Sequence, residues 1–213
     1  TNVLFAENTL LDSEAAAASE VLFDMLTENG VEITEDIAMP LYVGIATDTG
    51  CFRYGNTTAK TMRMAAFLMD TGIDTATVNT DIFDTKTKEY FALETMAMNS
   101  VKMYFGGKCA LLMLTKDMYR RANIAENETK GINALPRQIA GVLVGITVKE
   151  REGGKYGISV RTREPVDASE ICALLGGGGH RQAAGCELTA NPRTVISTIL
   201  KYTEEALKEQ KLI

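Results

Sequence analysis

The densest concentration of chemically competent residues is Gly176 to Gly185, GGGGHRQAAG, which joins four consecutive glycines to the single histidine of a 213-residue chain. Glycine adopts positive φ without a Cβ penalty, so such a run can aim several amide N–H groups at one point and let a ligand approach the main chain. A following helix can add the positive end of its dipole. That chemistry suits an anion such as phosphate, with a plain turn and a solvent-facing histidine as the alternative. Upstream, in GISVRTRE, a two-residue period sets Ile158 and Val160 on one face and Ser159, Arg161 and Arg163 on the other. Two arginine forks on one side of a strand match the geometry of phosphate oxygens. The third candidate is Asp48, in the Thr- and Gly-rich stretch GIATDTGCFRYGNTT at positions 44–58, where a carboxylate is either a turn residue or a metal ligand. Arg53, in the same stretch, is a further cation, and a solvent-exposed ion pair is an equal reading for it and for Arg163.

The elements that must position these residues follow from periodicity and punctuation. Asp12 is an N-cap for a helix whose apolar stripe is Ala15, Ala18, Leu22 and Met25, stopped by Gly30. A second helix, 34–47, contains Pro40, which should kink or restart it. Thr57 or Thr58 caps a third, with Met62, Ala65, Ala66 and Met69 as its stripe. Two more are expected between Asp74 and Ser100, the latter bridging two domains. After Val101 the period shortens: strands flank Gly106-Gly107, and again Gly153-Gly154 between 139–150 and 156–163. Asp167 caps a short helix that runs through Leu175 into the glycines, and an amphipathic helix from Pro192 ends the chain. The fold class expected is α/β, a mainly helical part followed by an α+β unit.

Composition narrows the function classes. The net charge is −6, which argues against coating long nucleic acid by electrostatics. Ten acids and no Lys or Arg lie in the first fifty residues, so that segment holds −10 and the remainder +4. The longest apolar run, 139–148, is half of a membrane span. TNVLFAENTLLD has none of the marks of a signal peptide, so none is expected. Cys51, Cys109, Cys172 and Cys186 lack paired spacing, which suits reduced thiols in a cytoplasmic protein and neither a disulfide framework nor a zinc site.

Together, GIATDTGCFRYGNTT, GISVRTRE and GGGGHRQAAG resemble the DHH phosphoesterase family with its DHH-associated C-terminal domain, whose loop is GGGH followed by AAG. Gly177, Gly178, Gly179, His180, Ala183, Ala184 and Gly185 supply every position of that loop. INALPRQIAGV and the T-D-T-G-x-F-R-Y run bring the nanoRNase and phosphoadenosine-phosphate phosphatase type nearest. The resemblance covers essentially the whole chain. It implies residues 1–75 as the C-terminal part of a DHH catalytic domain, 76–100 as a helical linker and 101–213 as the substrate-binding DHH-associated domain. It implies a phosphoesterase that uses two Mn²⁺ ions to hydrolyse short oligonucleotides, and 3′-phosphoadenosine 5′-phosphate, to mononucleotides. Arg161, Gly177, Gly178, Gly179 and His180 would hold the phosphate, and Asp48 would be a metal ligand. The Asp-His-His motif itself is absent. Thr1-Asn2 resembles the residues that follow it, which implies a fragment without most metal ligands, with no certain catalytic residue and binding without turnover. A RecJ-like exonuclease, a cyclic-dinucleotide phosphodiesterase and a non-catalytic nucleotide-phosphate binding module are the alternatives. Expected partners are short oligonucleotides or nucleotide phosphates, with no membrane, and a homodimer as the assembly to test.

Overall fold

In the computed structural model, which describes residues 9–129 and 131–213, the chain divides between Thr85 and Lys86 into two units. The expected family boundary at Thr1-Asn2 lies outside the described residues.

The first unit is helical. Asp12 closes a local turn, accepting the Glu14 N–H at 2.9 Å, and α1 starts later, at Ala18–Glu28. Its expected stripe is displaced: Leu22 and Met25 are exposed, while Phe23 and Leu26 pack inward. Helix α2, Glu35–Asp48, continues through Pro40 without restarting. Ala38, Leu41, Tyr42 and Ile45 on either side of the proline are buried, and their packing outweighs one lost N–H bond. Thr58 caps α3, Ala59–Asp70, by exchanging two 3.1 Å hydrogen bonds with Thr61. The buried face is Met64, Ala65 and Leu68, one step from the expected Met62 and Met69, which are exposed. Helix α4, Thr75–Asn79, passes into a π-helical turn at Thr80–Asp84.

The second unit builds a six-stranded mixed sheet. Helix α5, Lys88–Asn99, precedes β1, Lys102–Tyr104, and β2, Cys109–Leu114, which form the hairpin expected at Gly106-Gly107. A crossover holding α6, Lys116–Ala122, and α7, Leu135–Gln138, then lays β3, Val144–Glu150, parallel to β2. The second expected hairpin joins β3 to β4, Lys155–Thr162. Helix α8, Ala168–Ala173, leads to β5, Gly178–His180, and β6, Ala183–Thr189, and α9, Pro192–Glu209, closes the unit. The strand order is β1-β2-β3-β4-β6-β5.

Each sheet face has its own core. On one, Leu111, Val144, Ile146, Val148, Ile158 and Val160 pack with Ile171 of α8 and Val195, Ile199 and Leu207 of α9. On the other, Leu112 and Leu114 of β2 pack with Tyr90, Leu93 and Ala97 of α5, Ala122 and Ile132. The architecture is therefore α/β, helices with a mixed sheet. All four cysteines are free. No helix among the described residues is long and apolar enough to cross a membrane.

Candidate functional site

Strand register decides which side chains share the second face beyond the reach of the helices. Arg161 on β4 and His180 on β5 are both directly opposite Ala183 of the intervening β6. Paired residues project from the same face. Two strand spacings separate their backbones, about 10 Å. The next row across the sheet is Thr147, Ser159, Gly185 and Gly178, and the one after is Lys149, Gly157 and Glu187. The outcome is a floor of small residues between Arg161 and His180 at one end and Lys149 at the other.

Helix α7 and the turn before it form one wall. A Cβ on Gly145 would lie 2.6 Å from the Arg137 N, so glycine there lets α7 rest on β3. Arg137 then donates to the Thr162 carbonyl at 3.3 Å. Thus INALPRQIAGV, read at first only as a family mark, anchors this wall with Ile132 and Pro136 buried and Asn133 beside the floor. Glu126, Asn127, Thr129, Asn133, Lys149 and Arg151 line a groove of about 460 Å³. Arg151 is held by Glu126 at 2.9 Å and Glu187 at 3.0 Å, and its guanidinium lies over Gly157. Lys149 has a hydroxyl partner, Thr129, at 3.4 Å, and makes no ion pair among the described residues. Its burial lowers its pKa from the ordinary lysine value, an effect that Glu126 opposes and the charges of Arg151 and Arg161 reinforce.

The glycine loop has a structural task that the sequence did not reveal. The N–H groups of Gly176 and Gly177 are occupied by the Ala173 and Cys172 carbonyls at 3.0 and 2.9 Å, finishing α8. The segment Gly178–His180 is an edge strand. It is followed by β6 and preceded by the negative end of α8, so the helix dipole expected to favour an anion is not supplied by an adjoining N-terminus. The hairpin tip is tied down: Thr162 donates to the Arg181 and Gln182 carbonyls at 3.1 and 3.2 Å, Ala168 N–H to the Arg181 carbonyl at 2.7 Å, and Arg181 pairs with Glu164 at 3.1 Å. His180 is exposed at this fixed tip and Arg161 is half-buried, one of its N–H groups donating to the Val160 carbonyl at 3.1 Å.

The remaining candidates lie elsewhere. Strand β4 ends at Thr162, so Arg163 falls outside the row and donates instead to the Arg137 carbonyl at 3.2 Å. Asp48 and Arg53 belong to the first unit. Asp48 is the exposed last residue of α2, and Arg53 donates to the Gly50 carbonyl at 2.6 Å. Among the described residues no group of three His, Cys, Asp or Glu side chains could hold a metal ion. Those residues therefore do not by themselves supply the ligand set of a two-metal centre. Lys149 was missed by the sequence reading, although VGITVKE alternates and the Gly153-Gly154 hairpin places Thr147 and Lys149 on the Arg161 side.

Residues 107–209 match the DHHA1 domain. Over 88% of its length the chain is 36% identical to the bifunctional oligoribonuclease and PAP phosphatase NrnA of Thermus thermophilus, covering 56% of that protein. It is 28% identical to the probable bifunctional oligoribonuclease and PAP phosphatase NrnA of Streptococcus mutans, covering 85% of this chain and 57% of the relative. The chain thus spans little more than half the length of these relatives. A solved exopolyphosphatase-related protein from Bacteroides fragilis has the same fold, with a TM-score of 0.86 over 97% of this chain and 60% of that one, at 24% identity.

Proposed function

We infer that the chain belongs to the NrnA-like branch of the proteins that contain a DHH-associated domain, and we propose that its second unit captures the phosphates of short oligonucleotides and of 3′-phosphoadenosine 5′-phosphate for hydrolysis to mononucleotides. The observation that supports this reading is the row Arg161, Ala183, His180. A guanidinium fork can take two phosphate oxygens and an imidazole N–H a third, across a floor with no bulk between them. The Thr162 and Ala168 bonds to the hairpin tip hold His180 in that relation before a ligand arrives.

Hydrolysis also needs an activated water and charge stabilisation at phosphorus, and the described residues offer no ligand set for a metal that would supply them. For the 213 residues the reading is therefore binding without turnover. A manganese requirement belongs to the whole protein, with Asp48 as one carboxylate of a larger set. The test is release of mononucleotide from a dinucleotide with Mn²⁺, comparing this chain with one lengthened upstream to match its relatives. Turnover is expected from the longer chain alone, and equal rates would refute the division of labour. Arg161→Ala and His180→Ala should each weaken nucleotide binding about ten-fold or more, the order of one lost charge-assisted hydrogen bond. Unchanged affinity in both would remove the pocket. A RecJ-like or cyclic-dinucleotide preference would show as rates that rise with oligomer length or favour cyclic substrates.

A further inference from the structure

The cysteines differ in their surroundings, and two of them face each other. Cys172 on α8 is fully buried, Cys186 on β6 is half-buried, and both belong to the core that α8 closes over the sheet. Register sets Cys186 opposite Ile158, a member of the same core as Cys172 and Ile171. Gly177 touches both residues. Its N–H donates to the Cys172 carbonyl at 2.9 Å, and a Cβ on it would lie 2.5 Å from Cys186 Cβ and 2.8 Å from Cys186 Cα. The thiols themselves are in hydrogen-bonding contact, the Cys172 S–H donating to the Cys186 sulfur. That bond, reinforced by burial, holds the Cys172 thiol above its ordinary pKa, and it holds Cys186 below the ordinary value against the opposing effect of burial. Cys109 differs: burial alone pushes it up to about 12. The order of the chain adds a second observation. Residues 173–185, ALLGGGGHRQAAG, lie between the paired cysteines, so the two sulfurs bracket the whole glycine-histidine loop. Packing asks only for small apolar side chains at the two positions, and sulfur brings a chemistry that packing does not use.

We propose that Cys172 and Cys186 are a redox-active pair whose reversible disulfide closes residues 173–185 into a covalent ring and locks the glycine-histidine loop between α8 and β6. The pair is reduced in the structure. With hydrogen peroxide as the oxidant, the half-buried Cys186 meets it first. The Cys186 thiolate attacks one peroxide oxygen, an S–O bond forms as the O–O bond breaks, and the departing hydroxide takes up the proton that the thiol released. Buried Cys172 is reached by its neighbour alone. Its sulfur attacks the Cys186 sulfenic sulfur, gives up its proton and displaces hydroxide, which leaves as a second water. Two thiols and one peroxide become one disulfide and two waters, with two electrons passing from sulfur to oxygen. A dithiol reductant reverses the link by exchange.

The link acts on opening of the loop. The Gly176 and Gly177 amides are bonded to the Ala173 and Cys172 carbonyls, and they exchange with solvent only when the end of α8 comes undone. A disulfide across that end restricts the opened state and opposes the opening. The clamp concerns the loop itself, so it stands whether or not His180 receives a phosphate.

The reduced 213-residue chain is treated with hydrogen peroxide, its remaining thiols are alkylated in denaturant, and it is digested with trypsin, which cuts after Arg181 between the two cysteines. Mass spectrometry is expected to find peptides 164–181 and 182–193 joined by a disulfide, with Cys109 recovered alkylated. In the oxidised chain, amide exchange at Gly176 and Gly177 should slow about ten-fold or more and the unfolding temperature should rise by several degrees, and dithiothreitol should restore both. Cys172→Ala and Cys186→Ala should each abolish the joined peptides and the response to oxidation. In Cys172→Ala the Cys186 sulfenic acid should be trapped by dimedone, whereas in Cys186→Ala Cys172 should stay reduced. The unfolding temperature of each reduced variant shows that it is folded. Recovery of Cys172 and Cys186 alkylated at a peroxide dose that oxidises the half-buried Cys51 overturns the pair. So does a link that forms only in denaturant, or one that quickens exchange at Gly176 and Gly177.

Discussion

A Cβ on Gly177 would overlap the Gly185 carbonyl oxygen and lie 2.5 Å from the Cys186 Cβ, whereas one on Gly178 would meet nothing within 4 Å. Two adjacent glycines of one motif thus have different physical reasons. Gly177 is required by the close approach of the loop to β6, and Gly179, at φ 148° with Ala183 O and Ala184 Cα each 2.6 Å from its missing Cβ, by both approach and backbone. Gly178 faces the open floor opposite Gly185, where a methyl would encroach on a ligand alone. Gly177→Ala is accordingly expected to destabilise by about 2 kcal/mol or more through backbone displacement, and to lose nucleotide affinity with it. Gly178→Ala should leave the unfolding temperature within a degree or two while weakening phosphate binding. Denaturant melts paired with nucleotide titrations separate the two, and a Gly178→Ala that melts early but binds normally would reverse the assignment.

Helix α8 converts such single contacts into the placement of an element. Its N-cap, Asp167, accepts hydrogen bonds from the Ser169 and Glu170 N–H groups at 2.8 and 3.4 Å, and its last turn delivers Gly176 and Gly177 to the sheet edge. These bonds, led by the Ser169 hydroxyl, hold the Asp167 pKa below the usual carboxylate value. A carboxyl with a depressed folded-state pKa stabilises above its unfolded pKa and loses that contribution as the pH falls through the folded value. Asp167→Ala should therefore cost about 1 kcal/mol at neutral pH, with the difference from wild type shrinking below pH 4. Hydrogen exchange at Gly176 and Gly177 should quicken in the same variant. This element also shows how far local sequence carries. The Asp167 cap and both Gly-Gly hairpins were legible because each is decided within a few residues. The β5–β6 edge was not, because GGGH has no strand propensity and pairs only when α8 and the Thr162 bonds bring it to AAG. The α1 and α3 stripes were misplaced for a related reason. Several apolar residues competed for burial on each helix, and tertiary packing chose Leu26 over Met25 and Leu68 over Met69. At the site, Arg161 and His180 could be named from the motif, but Lys149 needed the register of a hairpin.

Across the whole molecule the charge divides with the units. Residues 1–85 contain fourteen acids and three Lys or Arg, and residues 86–213 contain fourteen acids and nineteen Lys or Arg, giving −11 and +5. A phosphate ligand approaching the Arg161 floor is attracted by the local cations and repelled by the net charge of the entire chain. These influences differ in reach: contacts at the half-buried Arg161 and Lys149 are weakly screened, while the field of a distant exposed carboxylate is lost beyond about 10 Å at 0.1 M salt. The second unit has its own cores on both sheet faces, from Tyr90 and Leu93 to Ile199 and Leu207, so a chain spanning Lys86–Ile213 should fold independently. At low salt that shorter chain is expected to bind a dinucleotide faster and several-fold tighter than the 213-residue chain. Near 0.3 M salt the two should converge, since only the short-range contacts survive there. Stopped-flow association rates over a salt series measure this directly. Equal rates at every salt would mean that the acidic first unit exerts no field at the phosphate site, and a slower rate for the shorter chain would mean that the first unit contributes to capture.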